Sequence, residues 1–267
     1  MAAAGPGWDP GQYLRYADER SRPFFDLLAR VRVQAPRLVV DLGCGPGNLT
    51  ATLARRWPHA AVVGVDSSPE MIAAAAETSG RFDRLTYVCA DLRDWHPDGA
   101  PDVVVSNAVF QWLPDQLGLI ERIAGSVAPG GAFAFGVPAN FDAPSHRVIR
   151  DVCSSPRWRD RLADARRVEA RVAAPEDYLA VLAAAGLEPD VWQTTYLHLL
   201  HGDDAVLDWV KGTALRPALT ALDGDPAATE EFLADCGAGL REAYPAGPAG
   251  TVFPFTRTFA VGHRAAA

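Results

Sequence analysis

Lysine is nearly absent from this 267-residue chain: apart from Lys211, all 25 basic residues are arginine. With the abundance of alanine, glycine and proline, that reads as a high-GC coding bias, so one arginine by itself carries little information. Basic charge is also in deficit. Thirty-three acidic residues against 25 basic ones leave a net charge of −8, which argues against broad binding to nucleic acid or an anionic membrane. Cysteine is sparse, and Cys44, Cys89, Cys153 and Cys236 form no CxxC pair. A disulfide scaffold or zinc site is therefore not expected, and the thiols read as reduced, in a cytoplasmic protein. Met1 to Pro10 has no basic segment followed by an apolar run, so no signal peptide is indicated. No apolar stretch is long enough for a bilayer. There is no internal repeat, no His/Asp/Glu cluster at metal-ligand spacing and no nucleophile motif.

What is present is an alternation of apolar strands and amphipathic helices. Ser21-Arg22-Pro23 is expected to open a first helix. Strands follow at Arg37 to Val40, Ala61 to Val65, Leu85 to Cys89, Asp102 to Val105 and Ala132 to Val137. Leu49, Leu53 and Trp57 stripe the helix after the first strand, Ser68-Pro69-Glu70 starts the next, and another lies near Asp115 to Ser126. The second half is less regular. Helices are expected over Ser145 to Cys153, Pro175 to Ala185 (stopped by Gly186), Asp203 to Leu215 and Ala227 to Tyr244, with strands at Val191 to Leu200 and Val252 to Val261. The pattern predicts a doubly wound α/β fold with a mainly parallel seven-stranded, Rossmann-like sheet.

The expected organisation has five parts. Residues 1–36 form an N-terminal segment and helix covering the site, and 37–140 the cofactor-binding core. Residues 141–172 form a helical insertion, 173–202 and 251–267 the rest of the core sheet, and 203–250 a helical cap insertion. Open α/β sheets bind ligands at the carboxyl ends of their strands, which is where the cap is expected.

Asp41-Leu42-Gly43-Cys44-Gly45-Pro46-Gly47 follows the first strand and precedes a helix. Glycines let the backbone approach a ligand, and a helix start offers free N–H groups. A lone glycine loop is weak evidence, because nicotinamide and flavin enzymes use similar ones and any tight turn needs φ > 0. Three acids narrow the choice. Asp41 can face a cationic amino acid moiety, Asp66 can accept from two ribose hydroxyls, and Asp91-Leu92 can accept from an adenine amino group. A pyrophosphate would be repelled by Asp41.

The three acids at successive strand ends make the pattern resemble the class I methyltransferases, which implies S-adenosyl-L-methionine as cofactor and S-adenosyl-L-homocysteine as product. The likeness then sharpens. Trp8-Asp9-Pro10, Tyr13, Glu19-Arg20-Ser21-Arg22-Pro23, Asp41 to Asn48, Asp66-Ser67-Ser68-Pro69 with Met71-Ile72, and Asn107-Ala108 with Gln111-Trp112-Leu113-Pro114-Asp115 resemble the trans-aconitate 2-methyltransferase family. So do Thr194-Thr195-Tyr196 with His198, Trp209-Val210, Leu215-Arg216-Pro217 and Phe253-Pro254. Leu49 departs from the pattern, standing where a small hydroxyl residue is expected.

The resemblance implies that Asp41, Gly43, Cys44, Gly45, Gly47, Asp66, Ser67, Met71, Asp91, Leu92, Asn107 and Trp112 hold the cofactor. Trp112 can cover the adenine or pack beneath the next helix. The implied reaction is carboxyl O-methylation of trans-aconitate or a related polycarboxylate. The charge balance argues against nucleic-acid and membrane partners, and a monomer is favoured, although the sequence does not fix the oligomeric state. No catalytic side chain is required, because the acceptor is already ionised at neutral pH. Arginines hold carboxylates in two-pronged fashion, which makes Arg20, Arg22, Arg216 and Arg257 candidates. Tyr13, His146, Tyr196 and His198 complete the candidate substrate contacts; His198 is equally a satisfied sheet histidine and His146 a helix-start residue. Two alternatives stay open: another small acceptor such as a phenol or amine, with a histidine as base, and a non-enzymatic cofactor-binding regulator.

Overall fold

The computed structural model describes residues 17–80, 82–163, 165 and 172–267. In chain order its elements are α1 (Ala17–Leu28), β1 (Leu38–Leu42), α2 (Thr50–Arg56), β2 (Ala61–Asp66), α3 (Pro69–Ser79) and β3 (Leu85–Cys89). Next come β4 (Val103–Asn107), a 3-10 turn (Phe110–Trp112), α4 (Gln116–Ser126), β5 (Ala132–Pro138), α5 (Pro144–Ser154) and α6 (Pro175–Ala184). The last elements are β6 (Leu187–Leu200), α7 (Ala205–Lys211), α8 (Arg216–Ala221), α9 (Pro226–Ala243) and β7 (Thr251–Arg264).

The strands form one seven-stranded sheet in the order β3-β2-β1-β4-β5-β7-β6. The first five are parallel and β7 runs antiparallel to β5. β1, β4 and β5 are buried almost throughout, because helices cover both faces of a parallel sheet and call for continuous Val, Leu and Phe. The strand order reverses between β1 and β4. In such sheets a crevice opens at that switch point, at the carboxyl ends of the strands.

Caps set several helix starts. Ser68 Oγ accepts from Met71 N–H at 3.2 Å with Pro69 next in line, and Asp225 does the same for Ala228 at 3.0 Å. Each such cap is worth about 1 kcal/mol. Gly186, at φ 79°, ends the turn after α6, a conformation glycine adopts without steric penalty.

Three boundaries differ from the sequence expectations. α1 begins at Ala17 rather than Ser21, so Pro23 lies inside it. Its buried ring, beside Phe24, Leu27 and Leu28, gains apolar burial against the missing helix hydrogen bond. The helix expected over Asp203 to Leu215 is broken: α7 stops at Lys211 and Gly212, and the Leu215 N–H turns back to the Val210 carbonyl at 3.0 Å before α8 begins. β6 starts at Leu187, ahead of Val191, because an edge strand tolerates the Glu188-Pro189-Asp190 stretch that reads as loop.

The chain divides into two compact units. The α/β unit comprises Ala17–Pro138, Arg171–Thr194 and Arg257–Ala267. Its core includes Phe110, Phe133, Phe135 and Tyr178, with Phe110–Phe135 and Phe135–Tyr178 edge-to-face at 5.3 and 5.2 Å. The buried Tyr178 hydroxyl donates to Gln116 Oε1 and accepts from Ala173 N–H, so its polarity is satisfied. The helical unit comprises the described part of Ala139–Ala170 together with Thr195–Thr256. It has its own core around Trp158, Trp209, Leu215, Phe232 and Phe253. The ends of β6 and β7, Thr195–Leu200 and Thr251–Thr256, thus group with the helices rather than with the rest of the sheet.

Candidate active site

The loop after β1 carries three glycines in the left-handed region, Gly43 (φ 73°), Gly45 (φ 53°) and Gly47 (φ 78°). Two are also sterically fixed: a Cβ on Gly43 would collide with Val109 Cγ2, and one on Gly47 with the Tyr87 hydroxyl. Gly45 is different. A Cβ there would meet nothing within 4 Å, so bare backbone faces open space, as a cofactor that must approach the main chain requires.

Acids surround this loop. Asp66 Oδ2 accepts from Gly45 N–H and Oδ1 from Ser68 N–H, both at 2.9 Å. The bonds pin the carboxylate at the end of β2 and leave lone pairs for further donors. Asp41 lies beneath the loop, 3% exposed, and accepts from the Thr50 hydroxyl at 2.7 Å. Burial raises its pKa to about 7; the Thr50 hydrogen bond opposes the shift and the Asp66 charge adds to it. Burial likewise pushes the Cys44 thiol far up, so it is an inert packing group. Thr50 was not singled out from the sequence. The signal was there, since the hydroxyl missing at Leu49 is present one residue later and reaches Asp41.

Asp91 meets its expectation only in position. Arg93 holds both its oxygens, with Nε 3.0 Å from each, and the carboxyl pKa is lowered by that contact. An adenine amino group would therefore have to share or displace Arg93. The Leu92 and Met71 side chains are buried, 6% and 4% exposed. Ser67 is exposed, and its carbonyl accepts from the Cys89 thiol at 3.9 Å.

The loop after β4 completes this end of the α/β unit. Ala108 is the only non-glycine residue with positive φ among the described residues, at 60°, a conformation costing roughly 1–2 kcal/mol for an L-residue. Its N–H donates to the Gly136 carbonyl at 2.8 Å, and the buried Gln111 Nε2 donates to the Ala108 carbonyl at 2.7 Å. Strain held by such contacts is common at ligand sites. Phe110 is fully buried, in one core cluster with Leu119, Ile120 and Ile123 of α4, while Trp112 is half-exposed.

The substrate candidates are distributed as follows. Arg257 is 7% exposed, stands opposite Pro138 in the β5–β7 register, and donates to Asn107 Oδ1 at 3.3 Å. Two residues 150 positions apart are thereby joined. Arg22 projects from α1, its side chain 72% exposed and 3.9 Å from Asp26. Tyr13 and the Arg20 side chain lie outside the described residues.

Within the helical unit, Tyr196 and His198 share the inner face of β6, as alternation predicts. The His198 ring packs 4.7 Å from Trp209. Arg216 is half-buried at the start of α8. His146 lies in the first turn of α5 against Phe141, and burial lowers its pKa to about 4, with the Arg150 charge adding. Among the described residues no group of three His, Cys, Asp or Glu could hold a metal, and no helix is long and apolar enough to cross a membrane.

Residues 39–131 match a family described as a methyltransferase domain. The chain is 53% identical to a trans-aconitate 2-methyltransferase of Streptomyces avermitilis, with all of both chains covered. It is also 53% identical to one of Streptomyces coelicolor, covering 99% of this chain and 89% of that one. Among solved structures it resembles the N-methyltransferase NodS of Bradyrhizobium japonicum in complex with S-adenosyl-L-homocysteine. That likeness has a TM-score of 0.52 at 16% identity, covers 98% of this chain and 93% of the other, and speaks for the fold alone.

Proposed function

Since the chain belongs to the trans-aconitate 2-methyltransferase family and is an S-adenosylmethionine-dependent methyltransferase, we propose that it forms the monomethyl ester of trans-aconitate or a closely related polycarboxylate. The observation that carries this reading is the reach of the identity. The methyltransferase-domain match stops at residue 131, whereas the identity to the relatives runs on through the helical unit. A shared cofactor domain alone would leave the acceptor open.

The glycine loop and the strand-end acids fit the cofactor. Gly45 offers open backbone, Asp41 an acid for its ammonium group and Asp66 an acceptor for its ribose. When bound, the cofactor supplies an electrophilic methyl on a sulfonium. The chain's own work is then placement. A carboxylate with a reference pKa near 4 is ionised at neutral pH and needs no base, and holding it in line is worth up to roughly 7–11 kcal/mol in favourable cases. With the cofactor bound, transfer of its methyl to the carboxylate would cancel opposite charges, so the chain would favour it by excluding water from the acceptor. In this reading Arg216, Tyr196 and His198 of the helical unit and Arg257 of the α/β unit are each candidates to hold a remaining carboxylate. A phenol or amine acceptor would need a base. Burial makes His146 a weak one and His198 is engaged with Trp209, so no observation favours that alternative.

The protein is read as a cytoplasmic monomer. The deciding experiment incubates it with methyl-labelled cofactor and a panel of polycarboxylates, phenols and amines, with a trans-aconitate triester as control. Base-labile label on trans-aconitate and none on the triester is expected. Label on a phenol or amine instead would refute the carboxylate reading.

A further inference from the structure

The segment joining β5 to α5 buries more polarity than its own contacts satisfy. Asn140 is 6% exposed, and neither the nitrogen nor the oxygen of its carboxamide has a partner. Ser145 is fully buried with Oγ unpartnered, and His146 Nδ1 is buried and unpartnered too. The main chain around them is satisfied. Ala143 N–H donates to the Asn140 carbonyl at 2.9 Å, and the N–H groups of His146 and Arg147 donate to the Ala143 carbonyl. Ser145 N–H donates to the Tyr244 hydroxyl at 3.0 Å. The start of α5 thus has no spare backbone donor in these positions, and the unmet capacity belongs to side chains. Folded proteins leave few buried polar groups unpaired, because each is a standing destabilisation. Three within one short segment of the helical unit call for a polar ligand.

The chemistry of the set selects the ligand. The carboxamide has two N–H donors, the hydroxyl one, and the imidazole one more as its Nδ1–H tautomer. All are uncharged near neutral pH, since burial and the Arg150 charge outweigh Asp142 in keeping the imidazole unprotonated. Neutral donors gathered in one short segment suit an oxygen-rich acceptor. An apolar group would leave all of this capacity unmet.

We propose that Asn140, Ser145 and His146 form an uncharged hydrogen-bonding subsite for one carboxyl group of the substrate, distinct from the arginine contacts. The proposal rests on the polycarboxylate reading above and adds Asn140 and Ser145 to it. Neutral donors serve a carboxylate and an ester carbonyl alike. A guanidinium there would depress the nucleophilicity of a carboxylate and lose its ion pair once the group was esterified.

The test measures KM and kcat for trans-aconitate with wild type, Asn140→Ala, Asn140→Asp and Ser145→Ala. S-adenosylhomocysteine affinity and the thermal midpoint of the ligand-free proteins are measured alongside. Asn140→Ala and Ser145→Ala should each raise KM about 10- to 100-fold, as for a lost hydrogen bond to a charged group, and Asn140→Asp should raise it further by like-charge repulsion. Cofactor-product affinity should not change. The midpoint of Asn140→Ala should hold or rise, whereas loss of a merely structural residue would lower it.

Unsaturated dicarboxylates, each lacking a different carboxyl group of trans-aconitate, sharpen the test. In binding to the proteins saturated with S-adenosylhomocysteine, wild type and Asn140→Ala should become equal on one of them, because the partner group has been deleted. A lowered midpoint with unchanged KM, or the same deficit on every dicarboxylate, overturns the subsite. Titrating trans-aconitate into wild type and Asn140→Ala, both saturated with S-adenosylhomocysteine, separates the two failures. Differential binding without turnover refutes the proposed reaction but keeps the subsite. Turnover with equal affinities refutes the subsite alone, and absence of binding to wild type refutes both.

Discussion

Replacing Asp41 by Asn should make the ligand-free protein more stable at neutral pH while weakening its grip on the cofactor. The carboxyl is fully buried and its pKa is raised from 3.8 to about 7, first by burial, with the Asp66 charge adding and the Thr50 hydrogen bond opposing. A raised pKa means that the folded protein binds a proton which the unfolded chain has already released. Stability from this group is therefore present below pH 4 and is lost as pH rises toward 7, at about 1.4 kcal/mol per pH unit. The total is about 4 kcal/mol, of which about 2 kcal/mol falls between pH 5 and 7. The carboxamide oxygen of the Asp41→Asn variant would still accept from the Thr50 hydroxyl and would carry no such loss. The assay is urea unfolding of both proteins, without ligand, at pH 5, 6, 7 and 8. The stability difference, Asp41→Asn minus wild type, should grow by about 2 kcal/mol from pH 5 to pH 7 and then level. In parallel, wild-type affinity for S-adenosylhomocysteine should climb toward pH 7 and flatten, while that of Asp41→Asn stays flat and about 1–3 kcal/mol weaker at pH 8. Parallel unfolding profiles would show that Asp41 titrates normally and would refute the argument from burial.

Three further outcomes are expected. Asp66→Ala should weaken S-adenosylmethionine binding by about 1–3 kcal/mol by calorimetry, and an unchanged affinity would mean the ribose sits elsewhere. In kcat/KM for trans-aconitate, Arg216→Lys should lose less than Arg216→Ala yet more than nothing, since the charge survives and the two-pronged fork does not. Raising ionic strength should increase the wild-type KM more than it lowers kcat. Trp209→Ala, which empties the space against His198, Phe253 and Phe255, should cost about 3–5 kcal/mol in urea unfolding.

Local chemistry explains which features were legible in the sequence. The glycine loop, the Ser68-Pro69 helix start, the helix near Asp115 and the Gly186 stop each depend on residues within one turn of chain, and each stands where the sequence puts it. Pro23 inside α1 depends on what its ring is buried beside, and the early start of β6 on its lying at a sheet edge; neither is visible in a window of sequence. The break at Gly212 was locally encoded but masked by the strong apolar pattern on either side. At the site, the three acids were legible because they end successive strands. Their states were not. Asp41 is tuned by its burial and Thr50, Asp91 is taken by Arg93, and Arg257 meets Asn107 only once β4, β5 and β7 are assembled.

Tyr87 makes two glycines necessary for different reasons. Its ring runs from Gly64, where an added Cβ would come within 2.6 Å of Cδ1, to Gly47, whose carbonyl accepts from its hydroxyl at 3.2 Å. Gly64 has an ordinary φ, so crowding alone forbids a side chain there, chiefly from the aromatic ring with Cys44 Cβ next at 3.0 Å, whereas Gly47 is also held at φ 78°. In a mutational scan the two positions would look equally intolerant. In a background with a small residue at 87, alanine should become acceptable at 64 and stay strained at 47. One glycine is thus fixed by the backbone whatever surrounds it, and the other is contingent on a neighbour, so routes of sequence drift through this family can open at position 64 only after a change at position 87.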